Sequence, residues 1–136
     1  MKQDRVVVVD GANVAYAEKS ADGAPRVSNL VAAVKLLQEK GYSPIIIVDA
    51  SLYHDIDDPK QLDGLLENQV IHQAPSQTDA DYFVLETADR YDAWILTNDN
   101  YEEYRDDYTW IEERRVPFMV INDDMVLYGP QLEQAT

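Results

Sequence analysis

Val6-Val7-Val8-Val9-Asp10-Gly11-Ala12-Asn13 is the stretch on which the reading of the whole chain turns. Four valines in a row fit a strand buried on both faces, as in the parallel sheets of α/β proteins. Asp10 follows them without a break. A carboxylate at the end of a buried strand is costly unless something pairs with it. Open parallel sheets place ligands outside the carboxyl ends of their strands. Asp10 and Asn13 are therefore expected on the rim of such a crevice. Gly11 allows a turn that points both side chains into the same space. A turn in which Asp10 or Asn13 only bonds nearby backbone amides fits these residues as well.

Outward from this stretch, strands and helices alternate. Residues 14–17 extend into a short helix or loop, and residues 20–25 form a polar loop. Ser28 is the expected N-cap of a helix over 29–40, where Leu30, Val31, Val34 and Leu37 recur at helical spacing and Gly41 suits the position past the end. Residues 44–48 read as a second buried strand, closing on Asp49 as the first closes on Asp10. Such a strand–helix–strand unit predicts a parallel pair. Residues 51–60 are polar and are expected as a mobile loop over the rim. A short helix over 61–67 and a third strand over 69–72 follow. Thr78 opens a helix to about Tyr91, with Ala80, Phe83, Val84, Thr87, Ala88 and Tyr91 on one side. A fourth strand spans 93–97, and one or two short helices fall between 98 and 115. A fifth strand spans 116–121, and a last short strand 125–128 precedes a polar tail from about 130. The expectation is a single domain over 1–136, a three-layer α/β sandwich with a central, mainly parallel sheet of about five strands.

Composition narrows the function classes. No apolar stretch approaches the roughly 20 residues that span a bilayer, so no membrane role is expected. The first five residues lead directly into a strand, with no signal-peptide layout. The chain has no cysteine, which excludes disulfides and Cys-based zinc sites and fits a cytoplasmic location. The net charge is −15, with 26 acids against 11 bases. A solubilising or salt-adapted surface accounts for most of these acids. It also opposes non-specific nucleic-acid binding, which neutralises phosphates. A role on nucleic acid would need metal ions or a local basic patch.

Two further constellations stand out. Thr78-Asp79-Ala80-Asp81 fits a capping box with Thr78 as N-cap, and its acids complement the helix dipole. A helix start at the rim can equally present a carboxylate to a metal. In Thr97-Asn98-Asp99-Asn100-Tyr101-Glu102-Glu103, Asp99 follows the fourth strand as Asp10 follows the first. If a helix begins there, Asp99 and Glu103 lie four apart on one face. Capping, with Asp99 as N-cap and Glu102 three residues on, is the plain alternative. Strands one and four are commonly adjacent in doubly wound sheets, which would gather Asp10, Asp81, Asp99 and Glu103. Two unit charges 4 Å apart repel by about 4 kcal/mol at an effective dielectric of 20. Several carboxylates stay ionised together only with a cation, or else their pKa values rise. All-oxygen ligands favour Mg²⁺ or Mn²⁺. Such an ion activates water for attack on a phosphodiester.

These three motifs resemble the NYN/PIN-like nuclease superfamily, most closely its Regnase-type (Zc3h12a-like) ribonuclease NYN domain. The resemblance covers about residues 5–128. Val-Val-Val-Asp-Gly-Ala-Asn-Val-Ala is similar to the family's Asp-Gly-Ser-Asn-Val-Ala opening, with Ala12 for Ser. Asp81-Tyr82-Phe83 resembles Asp-Arg-Phe, and Thr97-Asn98-Asp99-Asn100-Tyr101 resembles Ser-Asn-Asp-x-Tyr. The resemblance implies a PIN-like sheet, Mg²⁺ or Mn²⁺, and endonucleolytic cleavage of RNA, in single-stranded or loop regions. It places Asp10, Asn13, Asp81 and Asp99 in the metal-site roles, with Asp10, Asp81 and Asp99 as ligands. Glu103 stands where the animal members have another Asp and joins the candidate catalytic set. Ala80 replaces one Asp of the family's Asp-Asp pair. Asp79 and Asn98 are candidates for an outer shell. The Cys/His zinc finger beside the domain in animal members is not expected in a chain without cysteine.

His54 and His72 have no ligand-like partner at close spacing and read as surface or strand-end residues. Asp49 borders the crevice or bonds the loop after it. Lys19, Arg26, Lys60, Arg90 and Arg105 are scattered, and Arg114-Arg115 is the one adjacent basic pair. Tyr16, Tyr53 and Tyr101 lie near the proposed crevice, for base stacking or for packing. The reading is a metal-dependent ribonuclease, with a homodimer left open. The alternative is an RNA- or protein-binding module of the same fold with weak or lost catalysis. A phosphoryl-transfer domain with Asp10 as nucleophile lacks the Asp two residues on and the late lysine it would need.

Overall fold

A computed structural model of the chain describes residues 5–128. The strands are β1 (Val6–Asp10), β2 (Ser43–Val48), β3 (Ile71–Gln73), β4 (Trp94–Leu96), β5 (Arg115–Val116), β6 (Phe118–Ile121) and β7 (Asp124–Leu127). The helices are α1 (Gly11–Ala15), α2 (Val27–Glu39), α3 (Leu52–Asp55), α4 (Pro59–Glu67), α5 (Ala80–Tyr91) and α6 (Ile111–Arg114), with a 3₁₀ turn at Glu102–Tyr104. Five strands form a parallel sheet in the order β3-β2-β1-β4-β5. The chain winds outward from β1 to β3, then returns to place β4 on the other side of β1. The order therefore reverses between β1 and β4, where an open sheet splays a crevice. No helix among the described residues is long and apolar enough to cross a membrane.

The valine run works as its composition predicts. Val7 and Val9 join a core with Leu30, Leu37, Leu52 and Leu62 from α2, α3 and α4. Val6 and Val8 join a second core with Val84, Leu85 and Ala88 of α5 and Ile111 of α6. Side chains alternate across a strand, so helices cover both faces of the sheet.

Several local boundaries differ from the sequence-based expectation. α2 starts at Val27, so Ser28 lies inside it; the N-cap is Arg26, which makes no side-chain cap. Its first amide, on Val27, donates instead to Asp57 Oδ1 at 2.9 Å, a cap from thirty residues away. Residues 51–60, expected as a mobile loop, contain α3 and the start of α4. Asp58 caps α4 by accepting from Gln61 N at 3.1 Å, with Pro59 in the first turn. Pro59 suits that position because its missing N–H needs no partner there. α5 is capped by Asp79, not Thr78, whose hydroxyl donates to the Pro75 carbonyl. Tyr91, expected on the apolar side of α5, is exposed, while Leu85 is buried.

The expected fifth strand over 116–121 is two strands. Pro117 has no amide hydrogen to continue the ladder. After Val116 the Asn98 carboxamide takes over, donating to the Phe118 carbonyl and accepting its N–H, both at 3.0 Å. β6 then leaves the sheet and pairs antiparallel with β7. Asn122 and Asp123 between them both have positive φ (50° and 70°), as a tight hairpin turn requires. The polar tail expected from about 130 lies outside the described residues.

Candidate metal centre

α1 begins with no connecting loop after β1, and Gly11 is the reason it can. A Cβ at Gly11 would stand 2.4 Å from Val48 Cγ1 and 2.7 Å from the Ile47 carbonyl oxygen. Only glycine lets the helix start against the end of β2. Asp10 then becomes the N-cap of α1, with Oδ1 accepting from Asn13 N at 3.3 Å. The other end of α1 is closed by buried Asn29, whose Nδ2 donates to the carbonyls of Val14, Ala15 and Glu18 at 3.0–3.2 Å. Helix-terminal carbonyls need such partners. Asn29 thereby fixes the short helix that carries Asn13.

Asp10 is 6% exposed. Its Oδ2 accepts from Thr97 Oγ1 at 3.1 Å and from the Tyr101 hydroxyl at 2.5 Å. Thr97 Oγ1 also accepts the Asp99 N–H at 3.0 Å, and Asp99 Oδ1 accepts the Tyr101 N–H at 2.9 Å. Tyr101 therefore holds two carboxylates, one by its phenol and one by its amide. It does so from the left-handed region, at φ 49°, with its ring 2% exposed in the core beneath α5. That conformation is an outlier for a bulky residue and persists only where surrounding contacts enforce it.

α5 completes the group from the facing side. Asp81 lies in its first turn, with its N–H donating to Asp79 Oδ1 at 3.0 Å. Asp10, Asp81 and Asp99 each offer a carboxylate oxygen within 4.8 Å of the others. They line a cleft of about 430 Å³ together with Asn13 and Tyr16. Burial raises the pKa of Asp10, while hydrogen bonds from Tyr101, Asn13 and Thr97 pull it back and Asp99 adds to the rise. Asp81 is pushed up to about 7, by burial first and then by Asp10, Asp79, Asp99 and Glu103. Burial and the Asp10 charge also raise the pKa of the Tyr101 phenol, so it stays protonated and donates. Three converging carboxylates with no nitrogen or sulfur donor make a hard-oxygen set suited to a divalent cation.

The remaining candidates have other positions. Asn13 lines the cleft, but its Oδ1 accepts the Asn98 N–H at 2.8 Å and so ties the β1–α1 junction to the chain after β4. Asn98 lines the same cleft, and its carboxamide is engaged by the Phe118 backbone. Asp79 caps α5 and accepts from the Tyr104 hydroxyl. Glu103 is exposed on the 3₁₀ turn and reaches Asp81 through charge alone. No helix carries both Asp99 and Glu103, because the chain turns at Tyr101 before the 3₁₀ turn begins. Asp99 accordingly closes a local turn on Tyr101 and is not an N-cap.

Asp49 accepts from the Ser51 hydroxyl at 2.6 Å and lines a separate cavity with exposed His54. Tyr53 packs against the core and donates to Asp63. Arg26 pairs with Glu18 and Asp123, Arg105 with Glu112, and Arg114 with Asp92 while lying over Trp110. These cations are engaged by the protein itself. Thr97 and Tyr101 are the supporting residues that periodicity does not reveal. The tight grouping of Thr97, Asp99 and Tyr101 in one motif was the available signal.

The sequence matches the family model described as the Zc3h12a-like ribonuclease NYN domain over residues 3–134. No curated protein matches it. Among solved structures, the fold is similar to nuclear proteinaceous RNase P 2 (PRORP2) from Arabidopsis thaliana, with TM-score 0.72 and 22% identity over 91% of this chain and 29% of that one. A second structure of the Arabidopsis thaliana nuclear protein-only RNase P 2 gives TM-score 0.74 and 20% identity over 93% of this chain and 30% of that one. The chain thus spans under a third of the length of these neighbours, and the likeness is one of fold.

Proposed function

The chain belongs to the Zc3h12a-like ribonuclease NYN domain family, and from that premise we propose that it is a metal-dependent endoribonuclease acting on single-stranded or loop regions of RNA in the cytoplasm. The observation that carries this reading is the convergence of Asp10, Asp81 and Asp99 within 4.8 Å at the point where the strand order reverses. Those three would hold Mg²⁺ or Mn²⁺. When bound, such an ion polarises a phosphoryl oxygen and lowers the pKa of water for in-line attack.

The chain's own residues prepare the site. Tyr101 and Thr97 fix Oδ2 of Asp10, and the Tyr101 amide fixes Asp99, so two of the three ligands are oriented before anything binds. Such supporting groups typically govern metal affinity by about 10- to 100-fold. Asn13 orients a water or a phosphate oxygen at the cleft wall. Glu103 and Asp79 add negative potential from outside the ligand set. With no cation bound, Asp81, pushed up to about 7, is partly protonated at neutral pH, and a proton held there would leave when the carboxylate became a ligand.

The test is cleavage of single-stranded RNA by the purified protein against Mn²⁺ concentration. Turnover that needs Mn²⁺ or Mg²⁺ and disappears in Asp10→Asn supports the proposal. Metal-independent turnover, or full turnover by Asp10→Asn, overturns it. RNA binding with no turnover in either metal points to a binding module of the same fold.

A further inference from the structure

We propose that a second cavity, on the same sheet rim as the metal cleft, takes a base of the RNA substrate and prefers guanine. This rests on the ribonuclease reading and names what that site selects. The cavity is about 410 Å³ and is lined by Asp49, Ser51, His54, Gln77 and Thr78. It lies on the same rim as the three carboxylates. β1 and β2 are parallel neighbours with Asp10 opposite Ile47, and Asp49 stands two residues beyond that pair, roughly 7 Å further out. Tyr16 lines the metal cleft, its hydroxyl donates to Asp55 of α3 at 3.3 Å, and it feels the charge of Asp49. Burial, Asp55 and Asp49 all raise its pKa, so the phenol is neutral. Tyr16 is 40% exposed. An exposed ring beside a nuclease cleft is a stacking platform, worth about 1–3 kcal/mol per base.

Charge decides what such a cavity recognises. No lysine or arginine lines either space, and the chain carries −15 overall. Phosphate contacts, which usually dominate affinity, have no cationic side chain to work with in the second cavity. Base contacts must supply both hold and choice. Asp49 is the one carboxylate in the lining, beside the polar Ser51, His54, Gln77 and Thr78 and the apolar Ala50 and Pro75, and its Oδ2 accepts from Ser51 at 2.6 Å. A carboxylate oriented in this way accepts two adjacent N–H groups. Guanine presents N1–H beside its N2 amino group. Uracil, cytosine and adenine set a donor next to a lone pair, which a carboxylate repels. Gln77 lines the same cavity at φ 64°, a left-handed backbone uncommon outside glycine. Such outliers concentrate at ligand sites.

The test has two arms with separate readouts. In the first, guanosine, adenosine, cytidine and uridine are titrated without metal and followed by NMR. Guanosine should shift the amides of Ser51, His54 and Thr78 and the Tyr16 ring at about tenfold lower concentration than the others, as expected for one well-made two-bond contact. Asp49→Ala, and the isosteric Asp49→Asn, should erase that difference. Equal responses to all four nucleosides, no response at these residues, or a preference that survives both variants overturns the proposal. In the second arm, cut positions in mixed-sequence RNA are mapped with Mn²⁺ present. Cuts enriched beside guanine, and evenly spread in Asp49→Ala, support the subsite. Unbiased cutting by the unaltered protein overturns the subsite and leaves the nuclease reading standing. Guanosine-selective shifts without cleavage in any metal do the reverse.

Discussion

Asp10 closes β1 and Asp49 follows β2, parallel neighbours in one sheet. Asp10 is 6% exposed, accepts from Asn13, Thr97 and Tyr101, and meets two more carboxylates. Asp49 is partly exposed and accepts from Ser51, two residues on. The difference comes from what stands beside each strand. β1 borders β4, where the chain returns from the far side and delivers Thr97, Asp99 and Tyr101. β2 borders β3, whose following residues Ala74 to Thr78 carry no acid. In this sheet the strand-end carboxylate that meets two others is the one whose neighbouring strand belongs to the other half of the reversed order.

The sharpest way to break this comparison is to remove the charge of Asp10. Asp10→Asn should lower RNA cleavage by about a thousandfold, several kcal/mol of transition-state stabilisation, with an unchanged circular dichroism spectrum. Tyr101→Phe removes the phenol that only the β1 site enjoys. Mn²⁺ affinity, measured by calorimetry, should fall by about 10- to 100-fold, and excess Mn²⁺ should restore part of the cleavage. Loss of cleavage at unchanged Mn²⁺ affinity would show that Tyr101 does not act through the ligands.

Gly11→Ala tests the junction that β1 has and β2 lacks. A Cβ there meets Val48 and the Ile47 carbonyl, so urea unfolding should show a loss of about 1–3 kcal/mol. The acid cluster should also leave a mark on pH dependence. The carboxyl of Asp81 sits at about 7 in the fold, against 3.8 for an ordinary Asp. Between those values the folded state holds a proton that the unfolded state releases, so metal-free stability falls as pH rises through the window. If Mn²⁺ binds at Asp81 it replaces that proton, and it should then raise Tm more at about pH 8 than at about pH 5. A Tm increment independent of pH would separate Asp81 from the metal. The smallest effect belongs to the other strand end: Asp49→Ala should change unfolding free energy by no more than about 0.5 kcal/mol.

Much of this was legible before any coordinates. The strand β1, the parallel β1–β2 pair and the adjacency of β1 and β4 follow from the valine run and the alternation of elements, while the motif spacing gathers Asp10, Asp81 and Asp99 but also Glu103, which stands exposed on the 3₁₀ turn. Boundaries set by distant groups were not. Asp57 caps α2 from thirty residues away, so Ser28 looked like the cap. Asn98 replaces a strand rung, so β5 and β6 looked continuous. The α4 cap was local and readable, since Asp58-Pro59 with Gln61 is a helix start; the density of polar residues around it suggested a loop.

The sequence by itself determined that a strand buried on both faces ends in a carboxylate, because near-continuous apolar runs are what fill the centre of a parallel sheet. It also determined that two more acids follow a strand or open a helix at the same rim. Tertiary structure alone decided which acids meet. Tyr101 bonds Asp10 across ninety-one positions and Asp99 across two, from a backbone conformation that local propensity disfavours. Such a contact depends on the packing of α5 and β4 around it, and no short window of sequence contains that information.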